Sequence, residues 1–544
     1  MQTTPQRRPA RPGPALPTLA TRASGLLLHP TSLPGPAGVG DLGPAAHAFL
    51  GFLAEAGQSW WQMLPIGPAG RANSPYQSES TFAGNPLLVS LEGLAAAGLL
   101  APADLMPAAP LAGGRAHYAA AERFKEIRFA KAFAAFESGA GRAERDALER
   151  FRAETAGWLP DFALYRALKD AHAGAAWADW PAPLRDRDPA ALREARERLA
   201  GDLRYHEFLQ FAFAAQWAAL RAACAARGIG CIGDLPIFVS HDSAEVWAHR
   251  ELFELDAEGR STVVAGVPPD YFSADGQLWG NPLYRWERMA EDGYAWWIER
   301  FRGVLGRFDA VRVDHFIGFV RYWEVPAGSR TAKRGRYREA PGAEFLGRLQ
   351  AALGEFPIIA EDLGLLTPEV AELRDRFGLP GMRVLQFAFG DDGEESRYML
   401  PENYPEGCVA YTGTHDNDTA VGWFRGAPAD GTRSAEALAG ERERAARALG
   451  GDGPDLHWRM IRSVLASRAA TAVFPVQDVL GLGSQARMNR PGTVHGNWEW
   501  RLRDGELTAE HAARLRELTA AAGRLPGAAR AAGPAPDAAR ETAS

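Results

Sequence analysis

Short apolar runs alternate with segments of helical periodicity along most of the 544-residue chain, and this alternation limits the folds open to it. An apolar run bounded by turn residues predicts a buried strand, and a helical segment between two such runs predicts a parallel sheet. The runs number eight, as in a (β/α)₈ barrel. They comprise residues 24–30, 59–65, 228–237, 308–313, 356–364, 382–389, 408–418 and 471–478.

We therefore predict an α/β fold, a (β/α)₈ TIM barrel with helical and loop insertions. An open, doubly wound sheet is the alternative arrangement for strands that alternate with helices. We favour the barrel because no glycine-rich phosphate-binding loop follows the first run.

The chain is longer than a barrel of ordinary size, which takes about 250 residues. Residues 91–203 are rich in Ala, Arg and Glu at helical spacing and predict a helical insertion. A loop subdomain is expected at about 240–295. Its residues 266–284 combine Gly, Pro, Asp and aromatic side chains, and long loops of this kind are usually lids or binding loops.

The two ends of the chain differ from the rest in composition. Pro, Arg and Thr dominate residues 1–23, and the arginines are not followed by the apolar segment of a signal peptide. Residues 527–544 are Ala-, Pro- and Gly-rich low-complexity sequence. We expect both tails to be disordered, which leaves residues 24–526 for the barrel and its insertions.

Charge and composition exclude several classes of protein. The net charge of -7 and the pI near 6.0 argue against nucleic-acid binding, which needs a basic surface. No apolar run approaches the roughly 20 residues of a membrane span. Cys224, Cys231 and Cys408 are too few and too scattered in sequence for a disulfide framework or a zinc site, and they fit a reducing compartment.

Carboxylates stand at the ends of three predicted strands. Asp314 follows the fourth run, Glu361 lies near the end of the fifth, and Asp416 near the end of the seventh. The carboxyl ends of barrel strands meet at one rim, where barrel enzymes have their active sites. We therefore expect the three acids to share one pocket, with Arg312 on the same strand face as Asp314.

Three acids in one pocket allow three interpretations. A structural ion pair between Arg312 and Asp314 would explain one acid only. Hard metal ions bind carboxylate oxygens, but Arg312 would repel a cation. Glycosidic-bond chemistry uses a carboxylate nucleophile, a protonated carboxyl and often a third stabilising group. Arg312 would keep Asp314 ionised, and neighbouring carboxylates raise the pKa of the acid. The residues favour this last interpretation and leave the others open.

The sequence around these acids resembles a known family. Three stretches resemble the nucleophile, acid/base and third-acid regions of the α-amylase clan. They are residues 308–316, 360–364 and 414–417. Further stretches resemble the 4-α-glucanotransferases called amylomaltases or disproportionating enzymes. They are residues 26–43, 73–86, 266–284 and 496–498. The resemblance covers about residues 24–503.

The resemblance implies a role for each acid: Asp314 as nucleophile, Glu361 as acid/base and Asp416 as transition-state stabiliser. It also implies a set of substrate-binding residues. They are Ser74, Tyr76, Asp234, Gln277, Trp279, Arg312, His315, His415 and Asn489. The family further implies a cytoplasmic enzyme without cofactor or metal and without the C-terminal β-sandwich of amylases. Its partners would be α-1,4-glucans, with no nucleic acid or membrane, and it would be a monomer or weak homodimer.

Individual side chains also have plainer interpretations. His315 and His415 are core histidines in one interpretation and sugar contacts in the other, which their position beside acids favours. Trp279 is either a core residue or a platform in a lid over bound glucan. The lid hypothesis rests on Gly266, Gly276 and Gly280 as hinge positions, and on the apolar faces of Trp279 and its aromatic neighbours. Those neighbours are Tyr271 and Phe272.

We expect transfer of an α-1,4-glucan segment to the 4-hydroxyl of another glucan. A retaining α-glucan hydrolase with the same acids is the nearest alternative, and a non-catalytic glucan-binding protein is a further one. The sequence also departs from its relatives at one point. Gly70-Arg71-Ala72 stands where many relatives have an aromatic residue implicated in a second glucan-binding groove.

Overall fold

The structure, a computed structural model, describes residues 14–107, 111, 113–139, 142–269, 273–364, 367–391, 393–426 and 434–527. Its centre is a closed barrel in which β1 pairs with both β2 and β12. The strands of the described residues are β1 (Ala23–Leu27), β2 (Trp60–Gln62), β3 (Gly230–Pro236), β4 (Val263–Val267), β5 (Gln277–Pro282), β6 (Ala310–Asp314), β7 (Arg321–Pro326), β8 (Arg336–Glu339), β9 (Ile358–Ala360), β10 (Gly381–Val384), β11 (Cys408–Tyr411) and β12 (Thr471–Pro475).

Each predicted apolar run supplies one barrel strand, so the predicted (β/α)₈ barrel is confirmed. Around the barrel the order is β1, β12, β11, β10, β9, β6, β3 and β2, and every pairing is parallel. Closure excludes the open, doubly wound sheet. The strands are short and buried on both faces, which is why they read as continuous apolar runs and not as alternating ones.

Helices cover the outside of the barrel and fill the region between β2 and β3. The helices of the described residues are α1 (Pro44–Glu55), α2 (Leu91–Ala96), α3 (Tyr118–Glu137), α4 (Arg142–Glu154), α5 (Leu159–Ala171), α6 (Ala182–Arg185), α7 (Pro189–Arg198), α8 (Ala200–Ala225), α9 (Ala244–Ala248), α10 (Trp286–Glu291), α11 (Ala295–Arg307), α12 (Gly342–Leu353), α13 (Pro368–Arg376), α14 (Glu394–Tyr398), α15 (Ala420–Arg425), α16 (Ala435–Leu449), α17 (Leu456–Ala466), α18 (Val476–Val479) and α19 (Ala509–Ala521). Among the described residues, no helix combines the length and apolarity that a membrane crossing requires.

The long helix α8 illustrates how sequence spacing decides packing. Phe213, Trp217 and Leu220 recur at i, i+4 and i+7, which puts them on one face of the helix. All three are buried, as this spacing predicts. Trp217 contacts Phe308 edge-on, with ring centroids 5.2 Å apart, just before strand β6 begins. The helix therefore supports the barrel beneath the strand that carries Arg312 and Asp314.

A second, antiparallel sheet stands beside the barrel, with strand order β5-β4-β7-β8. The interpretation of residues 266–284 as a loop without secondary structure is therefore wrong for residues 266–267, which end β4, and for β5. The sheet also takes in residues 321–339, which the predicted loop subdomain at 240–295 omits. The pairing of β4 with β7 joins an insertion after β3 to an insertion after β6.

The ends of the described chain pack against the barrel seam, where β1 meets β12. Arg22 donates to the carbonyls of Ser467 (3.0 Å) and Ala522 (3.1 Å). The predicted disordered tail through Ala23 is thus too long, because these hydrogen bonds order the residues just before β1. Residues 1–13 and 528–544 of the predicted tails lie outside the described residues.

Arg524 fastens the same seam from the other end of the chain. Its guanidinium is fully buried and donates to the carbonyls of Ala23 (3.0 Å), at the start of β1, and Ala470 (2.8 Å), just before β12. It also donates to carbonyls of the turn after α17, at Leu465, Ser467 and Ala469. One side chain therefore donates to five backbone carbonyls around the seam, three of which also accept from Arg22.

Candidate active site

Strand register brings the predicted acids to one end of the barrel. Asp234 on β3 is directly opposite Arg312 on β6, and Pro236 is opposite Asp314. On the other side of β6, Val313 is opposite Ala360, the last residue of β9. Asp314 directly follows Val313, and Glu361 directly follows Ala360, so the two acids lie side by side at the ends of neighbouring parallel strands.

Arg312 lies between two carboxylates. Its Nη1 donates to both Asp234 oxygens (3.0 and 2.8 Å), and its Nη2 donates to Asp314 Oδ1 (2.8 Å). Burial lowers the pKa of the guanidinium, but Asp234 and Asp314 together raise it well above its usual value. The side chain of Asp314 remains 28% exposed, whereas those of Arg312 and Asp234 are almost completely buried. Asp314 thus presents an anchored carboxylate to the pocket.

Glu361 is held by backbone amides. Its Oε2 accepts from the His315 N–H (2.7 Å) and its Oε1 from the Leu363 N–H (3.0 Å). His315 has φ 54°, a left-handed conformation that is rare for a side-chain-bearing residue and is often found at functional sites. Burial, with a further contribution from Asp314, raises the pKa of Glu361 to about 7, although Arg312 and the two amides oppose the rise.

Asp416 belongs to the loop between β11 and α15. Asn489 Nδ2 donates to its Oδ1 (2.6 Å), and His415 Nε2 lies 3.3 Å from its Oδ2. Arg487 donates to the Asp416 carbonyl (2.7 Å), and the Asn489 amide donates to the His415 carbonyl (3.0 Å). The Asp416 side chain is 40% exposed, so its fixed carboxylate faces the open side of the site.

Aromatic rings line the site beside Asp416. The Tyr76 ring stacks on the His415 ring with centroids 5.2 Å apart, and its hydroxyl donates to Asp234 (2.8 Å). Trp498 packs against both rings at 5.7 and 6.0 Å. Burial lowers the pKa of His415, so its imidazole is neutral at neutral pH. Ser74 lies in the turn before Tyr76, where its Oγ accepts from the Tyr76 amide (3.3 Å).

The antiparallel sheet supplies another side of the site. The half-buried Trp279 ring on β5 meets the His315 ring edge-on, with centroids 4.9 Å apart. Its indole N–H donates to Gln277 Oε1 (3.1 Å). The predicted site residue Trp279 therefore adjoins His315, next to Asp314, and Gln277 bonds to Trp279. Tyr271 and Phe272, the other apolar faces of the predicted lid, lie outside the described residues, as does the side chain of Arg71.

Sequence reasoning missed several residues that border the site, among them His29, Arg487 and Trp498. His29 is buried, burial and then His415 lower its pKa to about 3, and its Nδ1 has no hydrogen-bond partner in the described part of the chain. It borders a cavity of about 20 Å³ together with His415, enough for one water molecule. His29 follows the first strand, so the rule that polar groups at barrel strand ends form the site would have found it. Trp498 follows no strand, and its only signal is that it belongs to the stretch 496–498 that resembles the family.

The arrangement separates two kinds of carboxyl group. Asp314 is charge-paired with Arg312, whereas Glu361 is buried and has a pKa close to neutral. Such a pair can combine a nucleophile with a proton donor. Across the described ranges, no group of three or more His, Cys, Asp or Glu side chains is arranged to hold a metal ion.

Comparison with known proteins gives one consistent family. The sequence model of glycoside hydrolase family 77, described as 4-alpha-glucanotransferase, matches residues 28–508. The 4-alpha-glucanotransferase of Thermus thermophilus is 52% identical over 512 residues, which cover 93% of this chain and 99% of the relative. The enzyme of the same name from Synechocystis sp. is 48% identical over 512 residues, which cover 93% of this chain and 99% of that relative.

Solved structures agree with these sequence matches. The amylomaltase from Streptococcus agalactiae, solved in complex with acarbose, superimposes with a TM-score of 0.87 at 36% identity, covering 92% of this chain and 99% of that one. The amylomaltase from Corynebacterium glutamicum shares the fold, with a TM-score of 0.73 at 20% identity over 92% of this chain and 75% of that one. Since a family model matches most of the chain and its relatives align almost end to end, the chain belongs to the 4-alpha-glucanotransferase family of amylomaltases and is an enzyme of that activity.

Proposed function

We propose that the enzyme transfers a segment of an α-1,4-glucan to the 4-hydroxyl of an acceptor glucose or glucan by a retaining double displacement. The observation that carries this proposal is the contrast between two neighbouring carboxyl groups. Asp314 accepts a hydrogen bond from the Arg312 guanidinium, and Glu361 is buried with its pKa raised to about 7. Retaining glycosidases use such a pair as nucleophile and acid/base.

In the first step, Asp314 attacks the anomeric carbon of the donor while Glu361 protonates the leaving 4-oxygen. The glycosidic bond breaks, a glycosyl-Asp314 ester forms, and the leaving glucan departs with a free 4-hydroxyl. In the second step, Glu361 takes the proton of the acceptor 4-hydroxyl, whose oxygen attacks the anomeric carbon of the ester and breaks its bond to the Asp314 oxygen. Two inversions at one carbon give net retention.

We assign Asp416 the role of stabilising the charge that develops on the sugar in both transition states. Its carboxylate is fixed by Asn489 and lies beside a neutral His415, which supports that role. The remaining predicted binding residues are proposed to contact donor and acceptor sugars. They are Ser74, Tyr76, Asp234, Gln277, Trp279, Arg312, His315, His415 and Asn489.

We propose maltooligosaccharides, amylose and glycogen as substrates. The acarbose bound by the Streptococcus agalactiae relative supports recognition of α-linked glucose units. The enzyme would work in the cytoplasm without a cofactor, as a monomer or weak homodimer, and would bind neither nucleic acid nor membranes.

Incubation with maltotriose alone tests transfer against hydrolysis. We expect glucose together with maltopentaose and longer chains, while the total of reducing ends stays nearly constant. A rise in reducing ends that matches the loss of maltotriose would identify a hydrolase and refute the proposal. Proton NMR of the newly formed linkages tests the stereochemistry, and an anomeric signal of β-linked glucose in the transfer products would refute retention.

A further inference from the structure

The loop that carries His415 and Asp416 begins at Thr412, directly after β11, and ends where α15 begins at Ala420. Both Thr412 and Ala420 are fully buried. Asn489 and Arg487 hold Asp416 directly, and the way the two ends of the loop are held sets where the rest of the loop lies relative to the barrel.

Both ends are tied to one carboxylate. Asp478 in α18, three residues beyond β12, is 1% exposed. Its Oδ2 accepts from the Thr412 hydroxyl (2.5 Å), and its Oδ1 accepts from the Ala420 N–H (2.7 Å). The Ala420 amide is one of the first in α15, so Asp478 also satisfies an otherwise open donor at a helix start. The carboxylate thus links strand β11, helix α15 and the end of strand β12.

Within the loop, further hydrogen bonds connect Asp416 to its neighbours. Asn417 Oδ1 accepts from both the amide and the hydroxyl of Thr414, each at 2.9 Å. The Thr414 hydroxyl in turn accepts from the Asp416 amide at 3.3 Å. Gln386 donates to the Asp418 carbonyl (2.8 Å). These bonds connect the interior of the loop to its two ends, which Asp478 holds, while Asn489 and Arg487 contact Asp416 directly.

We propose that Asp478 is a positioning residue for catalysis: by hydrogen-bonding Thr412 and Ala420 together, it fixes the loop that holds Asp416 at the sugar. Asp478 itself touches no substrate. The inference rests on the proposed function, because it assumes that Asp416 acts on the transition state. The proposed role depends on two hydrogen bonds of Asp478 and not on its negative charge. A variant that keeps the hydrogen bonds and loses the charge therefore distinguishes this role from a general effect of removing an acid.

Asp478 can be replaced conservatively, because the proposed role requires only its two hydrogen bonds. An Asn side chain at this position can accept from the Ala420 N–H with its carbonyl oxygen and donate from its amide to Thr412 Oγ1. Both ties then survive without the negative charge. Burial raises the pKa of Asp478 to about 6, against the opposing effects of the Ala420 amide and the Thr412 hydroxyl. A neutral side chain is consequently well suited to this site.

The test compares Asp478→Ala with Asp478→Asn in maltotriose disproportionation, at a temperature where circular dichroism shows both variants folded. Misplacement of a reacting group by about 1 Å can cost 10²-fold in rate. We expect Asp478→Ala to lower kcat about 100-fold with KM changed less than about threefold, since binding residues on other elements stay in place. We expect Asp478→Asn to retain kcat within about threefold of the parent.

Asp309→Ala is a matched control at the opposite end of the barrel. Asp309 also ties a backbone amide, that of Cys231 (2.8 Å), and a side-chain donor, Arg221. Its removal should lower the thermal midpoint and leave kcat unchanged. The variants Thr412→Val and Thr412→Ser test the residue whose hydroxyl donates to Asp478. Loss of kcat is expected only for Thr412→Val, which lacks a hydroxyl. This pair decides the question if Asp478→Ala does not fold.

Three results would overturn the inference: full kcat in Asp478→Ala, loss of kcat in Asp478→Asn equal to that in Asp478→Ala, or equal kcat in the two Thr412 variants. The parent enzyme and Asp416→Ala separate these outcomes from failure of the proposed function. If the parent does not convert maltotriose to longer chains, or Asp416→Ala remains fully active, the proposed function fails. If both behave as expected and the Asp478 variants do not, only the positioning inference fails.

Discussion

The two sides of the site are built differently. On the barrel side, each of the three carboxylates is held by groups that reach a second strand or loop. Arg312 bonds Asp314 and also Asp234 on β3, Glu361 accepts from the amide that follows β6, and Asp416 accepts from Asn489 beyond β12. On the sheet side, the Trp279 indole bonds only two residues away, to Gln277, and otherwise packs by ring contact.

This difference suggests a division of labour. The acid–base chemistry needs carboxyl groups at fixed distances, and barrel strand ends provide them. Under the proposed function, choice between water and a sugar hydroxyl needs a surface that covers the intermediate, and we propose that Trp279 on the sheet supplies it. Changes on the barrel side should therefore abolish reaction, whereas changes on the sheet side should alter its outcome.

Glu361→Gln should produce the largest effect, because an amide cannot protonate the leaving oxygen. General acid catalysis contributes about 10²–10⁴-fold, so maltotriose turnover should fall by that factor. α-Maltosyl fluoride needs little acid assistance and should still form the intermediate. Mass spectrometry should then find a maltosyl adduct on Asp314. An adduct on Asp416, or undiminished turnover of maltotriose, would overturn the assigned roles.

Arg312→Met should produce the next largest effect, on stability as well as on rate. It leaves the carboxylates of Asp234 and Asp314 near one another without their shared cation. Removal of one partner from a buried ion pair costs about 3–5 kcal/mol of unfolding free energy. Urea unfolding followed by tryptophan fluorescence measures this loss of unfolding free energy. Arg302→Met, which breaks an exposed pair with Glu299, is the control and should cost less than about 1 kcal/mol.

Trp279→Ala should change the outcome of the reaction more than its rate. By analogy with base–aromatic stacking, loss of one stacking face costs about 1–3 kcal/mol of acceptor binding. The ratio of hydrolysis to transfer from maltotriose should therefore rise. Leu278→Ala on the same strand removes a side chain that is exposed on the opposite face and should leave the ratio unchanged. A uniform rate loss in Trp279→Ala, with an unchanged ratio, would assign Trp279 to folding or general binding.

The pH dependence of kcat/KM should reflect the titration of Glu361 on the barrel side and should not depend on the sheet side. Glu361 must be protonated to act as the acid, and its pKa is raised to about 7. As pH rises through 7, kcat/KM should fall about tenfold per unit. Glu361→Gln should lack this alkaline limb, and Trp279→Ala should keep it. A limb that persists in Glu361→Gln would belong to another group.

The sequence reveals the barrel side well, for a physical reason. Each barrel strand is a local apolar run, and the polar residue at its end needs no long-range information to be located. Asp314, Glu361 and Asp416 follow from that pattern together with the number of strands. The assignment of their roles depends further on the resemblance to a family.

The sheet side and the supporting contacts are harder to predict. Strand β7, residues 321–326, shows the alternation of a half-buried strand, but nothing local indicates that it pairs with β4. Trp498 is brought to Tyr76 by the fold of a segment without regular structure. Such contacts depend on pairing across long sequence separations, which periodicity alone does not encode.

The hydrogen bond between Arg524 and Ala23 also has a consequence for the synthesis of the chain. Arg524 and its acceptor Ala23 are 501 positions apart. At about 5–20 residues per second, a ribosome needs roughly 25–100 s to synthesise the chain between them. For most of that interval, until residues 471–475 are made, β1 has no β12 to pair with, and an open strand edge can pair with other chains. Closure of this barrel is therefore a late event in biosynthesis, and slower translation lengthens the time for which the nascent first strand needs protection from aggregation.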